Sequence, residues 1–142
     1  MIIVRELKDV SQSAAEQLAA LGSSLHGYER GFSEEQLQEI VDDPHIALVV
    51  AQDNDRIIGM GGLYIIVKIG KRKGYIEDLI VDEKYRGQGL GEQIMRELIR
   101  TARNQGLYSL ALNTNPKRVA AHKLYEKVGF KQIEEYVFML AL

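Results

Sequence analysis

The sequence predicts an α/β domain of the α+β type: a mixed, twisted central sheet of six to seven strands flanked by about four helices. Three observations predict it. Two apolar segments flank Asp53-Asn54-Asp55, which is turn chemistry and makes them an antiparallel hairpin. Further along, a strand, a glycine-rich turn, an amphipathic helix and another strand follow one another, so hairpin and crossover pairings share one sheet. The coarse order is β-α-α-β-β-β-α-β-α-β with room for one more closing strand, and residues 1–142 are one domain on a single core.

Taken in order, residues 2–7 read as a short strand. Asp9-x-x-Gln12 and Ser13-x-x-Glu16 are two competing capping boxes for the first helix, whose apolar positions Ala14, Ala15, Leu18, Ala19 and Leu21 run to Gly22. A polar stretch with His26, Tyr28 and Arg30 follows. Ser33-x-x-Gln36 caps a second helix that Pro44 stops. Strands are expected from Ile46 to Ala51 and from Arg56 to about Lys68. Gly59, Gly61 and Gly62 in the latter mark a bulge or a place where something packs directly on the backbone. A basic turn, Lys71-Arg72-Lys73, leads into a strand from Tyr75 to Asp82. Leu90, Ile94, Met95, Leu98, Ile99 and Ala102 trace one helical face ending near Gly106. Tyr108 to Leu112 is another strand. Pro116 suits a first helical turn, Ala121, Leu124, Tyr125 and Val128 line one face, and Gly129 caps the end. Phe130 to Leu142 reads as one or two closing strands.

Composition narrows the function. With 46% apolar and 27% charged residues the chain is globular rather than disordered. The absence of cysteine removes disulfides, thiolate nucleophiles and cysteine-bound metal. His26, His45 and His122 lack ligand spacing, so no metal is expected. No segment has the form of a secretory signal or a membrane span, which makes a cytoplasmic protein with no membrane partner the expectation. A net charge of −2 argues against a nucleic-acid partner. That average hides an asymmetry: residues 1–70 hold 5 basic against 11 acidic side chains, and residues 71–142 hold 13 against 9. An anionic ligand belongs to the second part.

The sharpest motif is Val81-Asp82-Glu83-Lys84-Tyr85-Arg86-Gly87-Gln88-Gly89-Leu90-Gly91, between a strand and a helix. A helix start exposes unpaired amides and the positive end of the dipole, and glycine lets a phosphate approach them. A nucleoside triphosphate loop would need Lys-Ser/Thr after the glycines, whereas Glu92 stands there. A dinucleotide fingerprint would need a third glycine at 92 and an acidic residue about twenty positions on, and neither is present.

Arg86-x-x-Gly89-x-Gly91 instead resembles the pyrophosphate-binding signature of the GNAT superfamily of N-acetyltransferases. Two more blocks match in order. Tyr75-Ile76-Glu77-Asp78-Leu79-Ile80-Val81 looks like that family's central strand, and Arg118-x-x-Ala121-His122-x-Leu124-Tyr125-Glu126-Lys127-x-Gly129-Phe130 like its last helix block. The resemblance covers nearly the whole chain and implies a GNAT fold binding acetyl-CoA as cosubstrate. It further implies that the strand before the turn splays from the strand after the helix, and that the pantetheine arm enters the gap. Leu79, Ile80 and Val81 would lie along the arm, with Arg86, Gly87, Gln88, Gly89, Leu90 and Gly91 at the pyrophosphate. Many members have asparagine where Arg118 stands, so the pantetheine contact falls to Arg118, Asn113 or Asn115, and His122 is more a packing residue.

Acetyl transfer to an amine needs a neutral nucleophile, a stabilised oxyanion and a proton for the departing thiolate. Glu77 is the candidate base, since Tyr-Ile-Glu-Asp resembles the block of polyamine and amino-sugar acetyltransferases in which the glutamate faces the acceptor. In a regular strand Glu77 and Asp78 point to opposite faces. Tyr125 matches the family tyrosine that gives its proton to the coenzyme sulfur, and an amide near Leu79 or Ile80 would face the oxyanion. The acceptor would be shaped by the first two helices and the hairpin, including His26, Tyr28, Glu29, Arg30 and Glu34, with the acidic balance of residues 1–70 favouring a small cationic amine. Protein lysines or N-termini, and a non-catalytic acyl-CoA sensor on the same fold, are the alternatives. A homodimer is compatible with the fold.

Overall fold

The computed structural model describes residues 1–27 and 31–142. One five-stranded sheet holds the chain together, in the order β1 (Ile2–Glu6), β2 (Ile46–Asp53), β3 (Arg56–Lys68), β4 (Lys71–Val81), β5 (Leu110–Ala111). The first four strands are antiparallel, and β5 joins β4 in parallel, so the sheet is mixed. In β2 the side chains alternate strictly: Ala47, Val49 and Ala51 enter one apolar layer and Leu48 and Val50 the opposite one.

Helix α1 (Gln12–His26) and helix α2 (Glu34–Asp42) cover the second of these layers, through Ala15, Leu18, Leu21 and Leu37. The α2 capping box forms as the sequence predicts, with the Ser33 hydroxyl accepting from the Gln36 amide and the Gln36 side chain accepting from the Ser33 amide. At α1 neither predicted box forms. Ser11 caps it instead, accepting from the Ala14 amide at 3.0 Å, and the helix runs past Gly22 to a left-handed Gly27 at φ 76°. An internal glycine costs a helix only about 1 kcal/mol, less than the packing of that turn supplies.

Helix α3 (Leu90–Asn104) buries Leu90, Ile94, Met95, Leu98 and Ala102 in the first layer. It lies directly on the backbone of β3. A Cβ at Gly59 would stand 3.0 Å from Ile94 Cδ1, and one at Gly61 would stand 3.0 Å from both Ile94 Cγ2 and Leu98 Cδ1. Both readings of these glycines therefore hold, since β3 also carries an extra residue beside Gly59, Ile58, between the pairs Ala51–Gly59 and Gln52–Ile57. Helix α4 (Val119–Lys127) adds Tyr125 to the same layer and begins three residues after Pro116, which sits in the preceding turn.

The strand count differs from the six to seven predicted. Residues 130–142 form no strand: Phe130 packs edge-on to Tyr125, with ring centroids 6.3 Å apart, and every residue from Lys131 to Leu142 is exposed. Strand propensity describes readiness to fit a pleated surface, and a strand forms only where a ladder partner is met. β5 likewise shrinks to two residues, because the chain leaves β4 after the pairs Gly74–Leu110 and Tyr75–Ala111.

The close approach of α3 makes Gly61→Val an overpacking change. Its expected effect is a loss of about 2 kcal/mol within the roughly 1–3 kcal/mol such insertions cost, measured by urea denaturation; unchanged stability would show that α3 does not rest on this backbone.

Candidate active site

The site is built where β4, the start of α3 and α4 fail to close on one another. On one edge β4 pairs with β3 up to Val81, while on the other edge its partner β5 stops at Tyr75. The opening continues as a groove of about 590 Å³. Leu79, Ile80 and Val81 supply one wall. Arg86, Gly87, Gly89, Leu90 and Gly91 supply the floor at the start of α3, and Arg118, Ala121, Leu124 and Tyr125 of α4 face them. Sequence-predicted residues from three separate blocks thus meet in one place. Gln88 and Asn113 do not line the groove. Asn115 is engaged in its own turn, its Oδ1 accepting from the Lys117 amide at 2.9 Å and its carbonyl lying 3.0 Å from His122 Nε2. His122 is therefore a turn-closing residue, and of the three candidates for the pantetheine contact Arg118 is the one at the groove.

The glycine turn has the geometry an anion needs. Gly87 and Gly89 have φ of 81° and 77°, conformations that a side chain disfavours, and Gly89 is the N-cap of α3 without any side-chain cap. Among the described residues no backbone amide from Gly87 to Glu92 donates to a carbonyl; the first to do so is Gln93, to Gly89. Six amides without a backbone acceptor thus stand at the positive end of a fifteen-residue helix. Arg86, Arg118, Lys123 and Lys127 line the same groove against one acidic residue, Glu92. Glu92 is paired with Lys127 at 2.7 Å, which ties α4 to α3, and with Arg96 of its own helix at 3.0 Å, and the two cations hold its carboxyl below the ordinary range. Arg86 donates through Nε to the Val81 carbonyl at 3.1 Å, which fixes the guanidinium at the mouth of the turn.

Tyr125 is 7% exposed and lies between the groove and Phe130. Burial raises its pKa, opposed by the nearby Arg118 guanidinium, so the phenol keeps its proton at neutral pH. The structure thus holds a buried, protonated hydroxyl beside a cationic groove.

Just before the groove-lining residue Leu79 the strand departs from the predicted alternation, and Glu77 and Asp78 themselves do not line the groove. Between the pairs Gly62–Glu77 and Met60–Ile80, two residues of β4, Asp78 and Leu79, oppose the single residue Gly61. Asp78 is the extra one, with φ of 57°. The consequence is visible in the packing: Ile76 and Leu79 enter the same apolar layer although an odd number of positions separates them, which only a bulge allows. Glu77 and Asp78 consequently do not diverge to opposite faces as a regular strand requires. Asp78 Oδ1 lies 3.2 Å from His26 Nε2 at the end of α1. Burial and the Asp78 charge raise the Glu77 pKa, which His26 opposes, and Tyr64 is pushed up to about 12 by burial and by both carboxylates. The strained, acidic bulge was not legible in the sequence. Its one signal is that aspartate tolerates positive φ better than most residues. Ser24 and Leu25, immediately before His26, line the groove, as does Leu79 immediately after Asp78, so the acidic cluster adjoins the groove. Of the predicted acceptor residues, Tyr28, Glu29 and Arg30 lie outside the described residues, and Glu34 opens α2.

Comparison with known proteins agrees with this geometry. The acetyltransferase (GNAT) family matches residues 10–130. A glucosamine 6-phosphate N-acetyltransferase of Oryza sativa subsp. japonica is 33% identical over 132 residues, 88% of this chain and 77% of the rice protein. One from Trypanosoma brucei brucei is 37% identical over 86 residues, 58% of this chain, and the match spans only 56% of that enzyme's own length. The crystal structure of a Trypanosoma brucei acetyltransferase superposes with a TM-score of 0.81 at 28% identity, covering 99% of this chain and 100% of that one. A family match over most of the chain, on a fold whose open strand edge leads to an amide-lined turn, makes this chain a member of the acetyltransferase (GNAT) family.

Proposed function

We propose that this enzyme moves the acetyl group of acetyl-CoA to the primary amine of a small cationic acceptor by direct attack, without a covalent enzyme intermediate. The observation that carries the acceptor class is the bulge in β4, which gathers Glu77 and Asp78 with Tyr64 and His26 next to residues that line a cationic groove, Leu25 and Leu79. Anionic coenzyme and cationic amine would then approach the reacting carbon from regions of opposite charge.

The residues fit the coenzyme on their own chemistry: six amides and Arg86 suit the pyrophosphate, the open edge of β4 at Leu79–Val81 suits an amide-bearing arm, and Arg118 lies opposite that edge. The cosubstrate contributes an activated thioester. An alkylamine with a pKa near 10 is mostly protonated at pH 7, and Glu77, with its pKa raised, is a carboxylate able to accept that proton directly or through water. An amide of the bulged segment near Leu79 or Ile80 would face the developing oxyanion. Tyr125, protonated and buried, would supply the proton to the departing sulfur. A second reading, a phosphorylated amino sugar, is favoured by the glucosamine 6-phosphate that the rice and trypanosome relatives acetylate.

Turnover of acetyl-CoA against polyamines, aminoglycosides, glucosamine 6-phosphate and lysine peptides separates these readings, with the cationic small amines expected to give the highest kcat/KM. Glu77→Gln is expected to lower turnover most between the raised Glu77 pKa and the amine's own pKa, and to have little effect once the amine is neutral. Because folding favours the protonated form of a group whose pKa it raises, ionised Glu77 does not stabilise the fold at pH 7, and the glutamine variant should melt no lower than wild type. A parallel pH profile for the two enzymes would return Glu77 to a structural role.

Tyr125→Phe removes one hydroxyl from a packed ring. The expectation is a fall in kcat of about a hundredfold or more, with acetyl-CoA affinity unchanged and at most about 1 kcal/mol lost in stability. A non-catalytic sensor would show no such fall. Wild-type turnover by this variant, with chemistry rate-limiting, would remove Tyr125 as the acid.

A further inference from the structure

The hairpin of β3 and β4 runs past the rest of the sheet. β2 leaves β3 at the pair Ile46–Tyr64, and β5 joins β4 only from Gly74. β3 and β4 continue together through Ile66–Lys73 and Val67–Arg72 to Lys68–Lys71, with Ile69 and a left-handed Gly70 (φ 82°) as the turn. Turn corners favour glycine, proline, asparagine, aspartate and serine, yet the outermost corner here is a fully exposed isoleucine. Around it Val67 is 63% exposed, Ile66 44% and Tyr108 74%. Single apolar side chains on a surface are ordinary, but several gathered at one corner mark a contact.

The same corner is cationic. Lys68, Lys71, Arg72 and Lys73 fall within six residues, and residues 64–76 hold no acidic side chain, although the chain as a whole carries a net charge of −2. Lys68 and Lys71 oppose each other across the ladder, and Lys73 shares their face together with Ile66. Like charges directly opposed destabilise a sheet. Among the described residues none of these four cations pairs with a carboxylate. The repulsion is built into a braced tip rather than a loose one. The Tyr108 amide donates to the Arg72 carbonyl at 2.8 Å, the Gly74 amide to the Ser109 carbonyl at 2.9 Å and Arg72 Nη1 to the Gln105 carbonyl at 3.0 Å, while Lys71 Nζ lies 4.8 Å from the centre of the Tyr108 ring.

Charge and apolar corner together select the partner. A single-stranded nucleic acid would bring phosphates to the cations but stack its bases on aromatic rings, whereas the exposed side chains between these cations are aliphatic and the one ring, that of Tyr108, already carries Lys71. An anionic bilayer offers phosphates above hydrocarbon, which matches cations flanking an aliphatic corner. We propose that the β3–β4 tip docks on the surface of an anionic phospholipid bilayer, with Ile69 entering the headgroup layer and Lys68, Lys71 and Lys73 meeting lipid phosphates. No helix among the described residues is long and apolar enough to cross a membrane, so the contact is with the surface alone. From Lys71 to Leu79 an extended strand covers about 26 Å, which keeps the groove outside the contact. The docking uses none of the residues assigned above to the chemistry and stands whatever the acceptor amine is.

Sedimentation with phosphatidylcholine vesicles, with and without phosphatidylglycerol, tests the proposal. Wild type should sediment with the anionic vesicles only and be released by added salt. Each cation at an anionic surface strengthens binding about fivefold, so Lys68→Gln/Lys71→Gln/Lys73→Gln should weaken it about a hundredfold. The same triple variant should melt no lower than wild type, because it removes like-charge repulsion. Arginine at those three positions should preserve binding, and Ile69→Asp should abolish it with turnover in the absence of vesicles unchanged. The chain has no tryptophan, so Ile69→Trp places one reporter at the corner. Its emission should shift to the blue on anionic vesicles and be quenched by lipids brominated in their acyl chains. Failure of wild type to sediment with anionic vesicles at low salt overturns the proposal, as does binding that the glutamine and aspartate variants retain, or an Ile69→Trp emission that vesicles leave unmoved. Binding to single-stranded RNA without binding to vesicles overturns it too, and would make the tip a nucleic-acid surface.

Discussion

Helix α3 packs its Ile94 and Leu98 side chains directly onto the backbone of β3, because Gly59 and Gly61 lack the Cβ atoms that would otherwise hold them off. That contact sets where the helix begins. Its first turn stands at the end of β4, and its unpaired amides face the edge that β5 leaves open. Gly61 also lies opposite the bulge, so one residue of β3 serves two ends: it admits the helix on one face and faces the doubled residues of β4 across the ladder. A larger residue there would displace the anion-binding turn and the acidic cluster together.

The resulting site divides charge along its length. Arg86, Arg118, Lys123 and Lys127 line the groove, whereas Glu77 and Asp78 gather with Tyr64 and His26 beside its residues Leu25 and Leu79. The Glu92–Lys127 pair is solvent-accessible and adds little stability by itself, but it bridges the two helices that bound the groove, while Arg96 pairs with Glu92 within α3. Strain at Asp78, a non-glycine residue at positive φ, is concentrated where acceptor and cosubstrate would meet, as strained backbone often is at functional sites.

Much of this was legible in the residues. The hairpin at Asp53–Asp55, the Ser33–Gln36 capping box and the glycine turn each depend on local chemistry, and each appears where the spacing puts it. The groove was legible as three blocks but not as a contact, since only folding brings Tyr125 opposite Leu79. What escaped depends on long-range geometry. The bulge carries no glycine to announce it and shows only when Ile76 and Leu79 are found in one layer. Ser11 rather than Asp9 or Ser13 caps α1, a choice that the spacing of the capping boxes does not encode. The final segment has the pattern of a strand, yet pattern alone does not supply a ladder partner.

The account rests on one claim, that the amides opening α3 hold the coenzyme's pyrophosphate. Backbone NMR during titration with coenzyme A tests it without reference to any acceptor. The largest amide shifts should fall on Gly87 to Glu92, with smaller ones at Leu79 to Val81 as the arm meets the open edge. Saturable binding that leaves Gly87 to Glu92 unmoved while another surface shifts would contradict it.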